Sequence, residues 1–163
     1  MTELSIATGE ARTRRREVSM ADFPLNYMTA DIEPDEILTR MSFNPWPLGH
    51  GWDFREFAQR HGDFAIVGVA TLLELSADGM VSRASITLGG VGPAPIRCSA
   101  AEGIVTGSTG SDAAISEAAE TCREIDALDD VHASAAYRRH LAVTLTCRAL
   151  RKAYDRVSGE TAL

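Results

Sequence analysis

The chain has 163 residues, of which 45% are hydrophobic and 24% charged, and it carries a net charge of −7 at neutral pH. That size and balance suit one domain with a real hydrophobic core, and the acidic excess argues against nucleic acid as a partner, which requires a concentrated basic surface. No run approaches the roughly 18 apolar residues of a membrane span, and the N-terminus lacks a signal-like apolar stretch, so the expectation is a cytoplasmic protein without membrane partners.

In chain order, Leu4–Ala7 and Arg15–Val18 read as short strands around the turn Thr8-Gly9-Glu10, a hairpin-like arm over residues 1–20. The cluster Arg12-Thr13-Arg14-Arg15-Arg16 is read as a solvated part of that arm. Met20–Pro24 and Glu33–Glu36 are turns, the first closed to helix by Pro24. Ile37 to Phe43 reads as a strand whose residues 37, 39, 41 and 43 share a face at period two. Asn44 to Gly51, with two prolines and two glycines, is a loop. Trp46, His50 and Trp52 cluster in or beside it, and the indoles either cap the core or line a cleft.

Trp52 to Arg60 fits strand and helix patterns equally. Phe64 to Leu75 and Val81 to Leu88, joined by Ser76-Ala77-Asp78-Gly79, read as a β-hairpin. Its first strand is apolar enough to lie centrally, buried on both faces. Gly89 to Pro95 lacks a phosphate-loop lysine and the G-x-G-x-x-G spacing; it reads as a tight crossover where glycines let backbones approach.

From there the chain turns helical. Ile96 to Val105 is expected as a short helix ended by Gly107. Ala113 to Glu124 follows, capped by Ser111 or Asp112, with Glu117 and Glu120 outward. A long helix runs from Ser134 to about Val157, leaving 158–163 as a tail. Its apolar stripe includes Tyr137, Leu141, Leu145 and Ala149. Cys98, Cys122 and Cys147 are isolated, fitting small buried apolar side chains in a reducing compartment. Strands followed by helices give an α+β class: an antiparallel three- to four-stranded sheet covered on one face by three helices, within residues 21–157.

Three blocks then carry a resemblance: Phe57-Ala58-Gln59-Arg60-His61-Gly62-Asp63-Phe64-Ala65, Leu88-Gly89-Gly90-Val91-Gly92-Pro93-Ala94-Pro95-Ile96-Arg97, and Ser134-Ala135-Ala136-Tyr137-Arg138-Arg139-His140-Leu141. In this order and spacing they resemble the C-terminal domain of the flavoprotein (medium) subunit of carbon monoxide dehydrogenase and related molybdenum hydroxylases, over about Ala21 to Lys152. The resemblance implies an α+β sandwich and favours an extended Trp52–Arg60. In that family an FAD-binding domain precedes this point. The chain starts at what resembles its last strand, so the expectation is a domain without its own flavin or other cofactor, and without a metal.

Three functions are weighed. The first is a cofactor-free acid–base enzyme at the corner Arg60–Ala65, with His61, Asp63 and Glu56 as catalytic groups. Arg60, His50, Trp46 and Trp52 would bind a small, aromatic substrate, in a condensation or cyclisation of Pictet–Spengler type. The second is a split component of a molybdenum-hydroxylase flavin subunit, exposing an apolar face to a partner. The third is a non-catalytic assembly module, such as a homodimer.

Overall fold

The computed structural model describes residues 2–8 and 15–159 and divides into two units, Met1–Trp46 and Pro47–Leu163. Residues 9 and 10 of the expected first turn, Arg12 to Arg14 of the basic cluster, and residues 160–163 of the expected tail lie outside the described residues.

The first unit holds β1 (Thr2–Thr8), β2 (Arg15–Ser19), the small hairpin β3 (Pro24–Asn26) and β4 (Thr29–Ala30), and β5 (Glu36–Phe43). β1 lies between β2 and β5, antiparallel to both. Sequence reading misses the β3–β4 hairpin, whose strands are too short for a periodic signal. It also misplaces the phase of β5. The β1–β5 register shifts so that Arg40 pairs with Ser5 but Leu38 with Ile6, leaving Thr39 as the extra residue of a bulge. Side-chain phase slips by one at a bulge, so Leu38, not Thr39, falls in step with Met41 and Phe43.

Among the described side chains of this unit, Arg16 makes a fork of polar contacts. Arg16 donates from Nε to Glu36 Oε1 at 2.8 Å, from Nη2 to Glu36 Oε2 at 2.7 Å and from Nη1 to Asp31 Oδ2 at 2.6 Å. The fork holds the Glu36 carboxyl at about 2, well below its ordinary value. Among the unit's described side chains, Val18 is the one buried hydrophobic.

The second unit contains β6 (Gly51–Phe57), β7 (Val67–Leu75), β8 (Val81–Gly89) and β9 (Ile96–Arg97), an antiparallel sheet in that order. α1 (Ser99–Val105), α2 (Asp112–Glu120), a 3-10 turn (Thr121–Glu124) and α3 (Ala135–Ser158) complete it. α3 packs on β6 and β7, α1 on β8, and α2 bridges α1 and α3. This is the expected α+β sandwich, with its strand count at the upper figure. The ambiguous segment after Gly51 is a strand, as the resemblance favours.

Buried and open positions alternate across the sheet because helices cover one face only. Val67, Val69, Thr71 and Leu73 of β7 point to the helices and are buried, joined by Ala84, Ile86 and Leu88 of β8. The opposite face is open: Ala70 is exposed, and Trp52 and Phe54 beside it on β6 are 51% and 58% exposed. β7 is therefore central but not buried on both faces; its continuous apolar run conceals an uncovered side.

Two helix boundaries differ from expectation. Ile96 and Arg97 form an edge strand on β8, because Cys98 N donates to Ile86 O before the helix begins. The second helix tightens at Thr121 into 3-10 geometry. Ser111 is its cap, its Oγ accepting from Ala114 N at 3.4 Å, and Ser134 caps α3 through Tyr137 N at 3.3 Å. Gly159, at φ +77°, ends α3 in the left-handed conformation that favours glycine. Cys98 and Cys122 are buried as expected, while Cys147 is half-buried.

α3 sits tightly on β6. A Cβ at Gly51 would lie 2.0 Å from Ala153 O, so only glycine permits this approach. Asp53, buried on the same side, accepts from Arg55 Nε at 2.6 Å and faces Arg156 Nη1 at 3.4 Å. Arg156 also donates to Trp52 O and stacks 4.0 Å from the centre of the Trp52 ring. Thr71 Oγ1 lies 3.3 Å from both Asp53 O and Ala149 O, joining β6, β7 and α3.

Candidate functional site

Between β6 and β7 the chain turns through Arg60 to Ala65. Ile66 N donates to Phe57 O at 2.7 Å, Asp63 N to Arg60 O at 3.2 Å, and Gly62 adopts φ +88°. Positive φ is natural for glycine and strained for other residues, so this turn is locally specified. Its outward groups are open to solvent: Arg60, His61 and Asp63 are exposed, and Phe64 is fully so at 101%.

Beneath the turn lies a buried arginine. Arg138, 4% exposed, donates from Nη1 to Ile66 O at 2.7 Å and to Gly90 O at 2.9 Å. Its Nη2 lies 2.7 Å from both carboxylate oxygens of Asp130. Asp130 Oδ1 also accepts from His132 N and Ala133 N, at 2.9 and 3.0 Å. With Arg138 as first cause, these bonds hold the Asp130 carboxyl at about 2. One side chain thus ties the start of β7, the end of β8 and the entry to α3. The available signal was the position: Arg138 lies three residues before Leu141 and four before Ala142, on the buried stripe of α3.

The three sequence blocks converge here. A Cβ at Gly90 would lie 2.7 Å from both Ala65 O and Ile66 O, and Gly90 has φ +75°. Phe57 meets Tyr137 edge-on with ring centres 6.1 Å apart, and Leu128 N donates to Val91 O at 2.9 Å.

The expected site residues are not drawn into an enclosed centre. Glu56 is exposed on β6, beside Gly68 in register. Half-buried His50 has its Nδ1 2.8 Å from Pro47 O, and Trp52 stacks with Arg156. Trp46 ends the first unit whereas Trp52 belongs to the second. A cavity of about 180 Å³ in the first unit is lined by Arg15, Glu17, Thr39 and Arg40, none of them expected in the site.

In the glycine-rich segment after β8, backbone carbonyls fill the space over Gly90, and a Cβ at Gly92 would meet Ile96 Cδ1 at 3.2 Å, so these two glycines accommodate the protein's own packing.

The second unit is a one-sided α+β sandwich, knotted by a buried arginine beneath an exposed turn. The chain belongs to the CO dehydrogenase flavoprotein C-terminal domain family, whose model matches residues 52–153. It is 35% identical over 150 residues to the 6-hydroxypseudooxynicotine dehydrogenase complex subunit alpha of Paenarthrobacter nicotinovorans, covering 91% of this chain and 51% of the relative. It is 36% identical over 128 residues to the caffeine dehydrogenase subunit beta of Pseudomonas sp. strain CBB1, covering 77% and 43%. The crystal structure of quinoline 2-oxidoreductase from Pseudomonas putida 86 superposes with a TM-score of 0.83 at 29% identity, over 96% of this chain and 53% of that one. The chain spans about half the length of the curated relatives it matches.

These relatives correct the first functional expectation. They are subunits of dehydrogenases and an oxidoreductase, and the family is named for a flavoprotein. A cofactor-independent condensing or cyclising enzyme is overturned, and so is the assignment to lyase or cyclase chemistry. The comparisons favour the flavin-subunit alternative. Among the described residues, no helix is long and apolar enough to cross a membrane.

Proposed function

We propose that this chain acts as the C-terminal portion of a flavoprotein subunit in a multi-subunit dehydrogenase or hydroxylase. The observation that carries this reading is the extent of the match. The family model begins at residue 52, yet similarity to the Paenarthrobacter subunit extends over 91% of the chain. Both units therefore have counterparts in a subunit of a named complex. The portion would serve as a rigid support, its rigidity coming from the Arg138 knot and the glycine-mediated packing of α3 on β6. The turn Arg60–Phe64 would present polar groups and one aromatic ring to a neighbouring polypeptide, giving Arg60, His61 and Asp63 contact roles.

A chimera tests this reading. The matched half of the 6-hydroxypseudooxynicotine dehydrogenase complex subunit alpha is replaced by this chain and produced with the other subunits of that complex. The expected result is co-purification of the complex with flavin content close to that of the parent. A soluble, flavin-loaded chimera that never joins the other subunits would refute it.

A further inference from the structure

Two of the three cysteines meet inside the helical layer of the second unit. Cys98 follows β9 and is the N-cap of α1; its backbone N donates to Ile86 O at 2.8 Å and its carbonyl accepts from Glu102 N at 3.0 Å. Cys122 lies in the 3-10 turn after α2. Both side chains belong to the hydrophobic core, 8% and 1% exposed, and their thiols hydrogen-bond each other there. Cys122 Sγ also lies 3.7 Å from Oγ1 of Thr146, a fully buried residue of α3. A cysteine that only fills apolar space needs no polar neighbour. Cys122 has a second thiol and a hydroxyl.

We propose that Cys98 and Cys122 form a reversible thiol–disulfide site, oxidised by a hydroperoxide to a bond that staples the start of α1 to the turn after α2. Each thiol has its resolving partner in contact, the arrangement that diverts a sulfenic acid into a disulfide. The hydrogen bond from Cys98, with those from Thr146 and Thr121, holds the Cys122 thiol at about 7, below its ordinary value, so Cys122 supplies the thiolate. That sulfur takes one oxygen from hydrogen peroxide and becomes a sulfenic acid; the O–O bond breaks, and the hydroxide released takes up the proton shed by the Cys122 thiol. Cys98 then loses its proton and attacks the sulfenyl sulfur. The S–S bond forms, the S–O bond breaks, and the second hydroxide leaves with that proton as water. Two thiols are oxidised and one peroxide is reduced to two waters. The Cys98 thiol is pushed up first by its bond to Cys122. Oxidation of Cys122 removes the thiolate at that bond, so the second step follows the first.

Thiol counting on the 163-residue protein tests this, with Cys147→Ser removing the half-buried third cysteine. The folded variant is treated with hydrogen peroxide at pH 7, quenched with catalase, unfolded and alkylated. Alkylated thiols should fall from two to none, and dithiothreitol should restore both. Peptide mapping should find the 98 and 122 peptides joined, in the variant and in the unsubstituted chain alike. Linkage should be about tenfold faster in the folded protein than in urea, because an unperturbed thiol is only a few per cent thiolate at this pH. In Cys98→Ser, which has no resolving thiol, Cys122 should instead gain oxygen and stay monomeric. Thiols that survive in the folded protein at a peroxide level that oxidises the unfolded one overturn the site. Linkage no faster than in urea, oxygen added to Cys122 without a 98–122 bond in the Cys147→Ser protein, or bonds only between molecules do the same.

Discussion

Arg138 holds Asp130 through one nitrogen, Nη2 lying 2.7 Å from each carboxylate oxygen, and this leaves Nη1 free to bond the carbonyls of Ile66 and Gly90. A planar fork supplies both directions at once; an ammonium does not. Arg138→Lys should therefore behave much like Arg138→Met. Each leaves buried acceptors short of a donor, costing about 3 kcal/mol in total at 1–3 kcal/mol per unsatisfied group. Urea unfolding measures this directly, and a lysine variant with wild-type stability would contradict it.

The same pair makes stability sensitive to acid. Hydrogen bonding from Arg138 lowers the Asp130 carboxyl from an ordinary 3.8 to about 2 in the folded protein. A folded-state pKa below the unfolded one stabilises fully above the unfolded value, and the benefit is lost as pH falls through the folded value. The Tm should fall between about pH 4 and pH 2, with a shallower fall in Asp130→Asn. Scanning calorimetry across that window, with both proteins in the same buffers, is the check.

Gly51 and Gly90 should not tolerate alanine. At Gly51 the new methyl would overlap the Ala153 carbonyl, and at Gly90 it would strike two carbonyls from a left-handed backbone. Left-handed backbone in a non-glycine residue alone costs about 1–3 kcal/mol, and the contacts add to that. Gly62, with open space around its Cα, should incur only the backbone part. Denaturation midpoints should rank Gly62→Ala as milder than either of the others.

Trp52 should report on the end of α3. With Trp46→Phe as background, Arg156→Gln removes the stacked cation, worth about 0.5–1 kcal/mol at an exposed site. The Trp52 emission should change while far-ultraviolet dichroism stays the same. Unchanged emission would mean that the stacking does not persist in solution.

His61→Ala and Asp63→Ala should leave stability within about 0.5 kcal/mol, as substitutions at exposed positions do. Thermal melts of the two variants decide this. A large loss would place one of these side chains in the structural knot.

Local chemistry made much of the fold legible. Asp78-Gly79 between two apolar runs gave the hairpin, Ser134 gave the start of α3, and the crowding at Gly90 followed from glycine in a crossover. Other features depended on partners distant in sequence. Arg138 looks like a surface charge because nothing near it announces the carbonyls of Ile66 and Gly90 that solvate its guanidinium. The phase of β5 was misread because a bulge is a property of two strands. The proposed acid–base corner grouped His61 and Asp63 by adjacency, although adjacent exposed turn residues do not make an enclosed centre. Trp46 and Trp52, six positions apart, fall in different units.

The convergence on Arg138 bears on how kinship is detected. The three blocks that reveal this family meet at a mechanical joint, where side chains seal backbone to backbone. A sequence search tuned to them finds an architecture, and it would find that architecture equally well in a descendant whose reaction had changed. Substrate preference has to be sought among the loops and surfaces that such a search ignores.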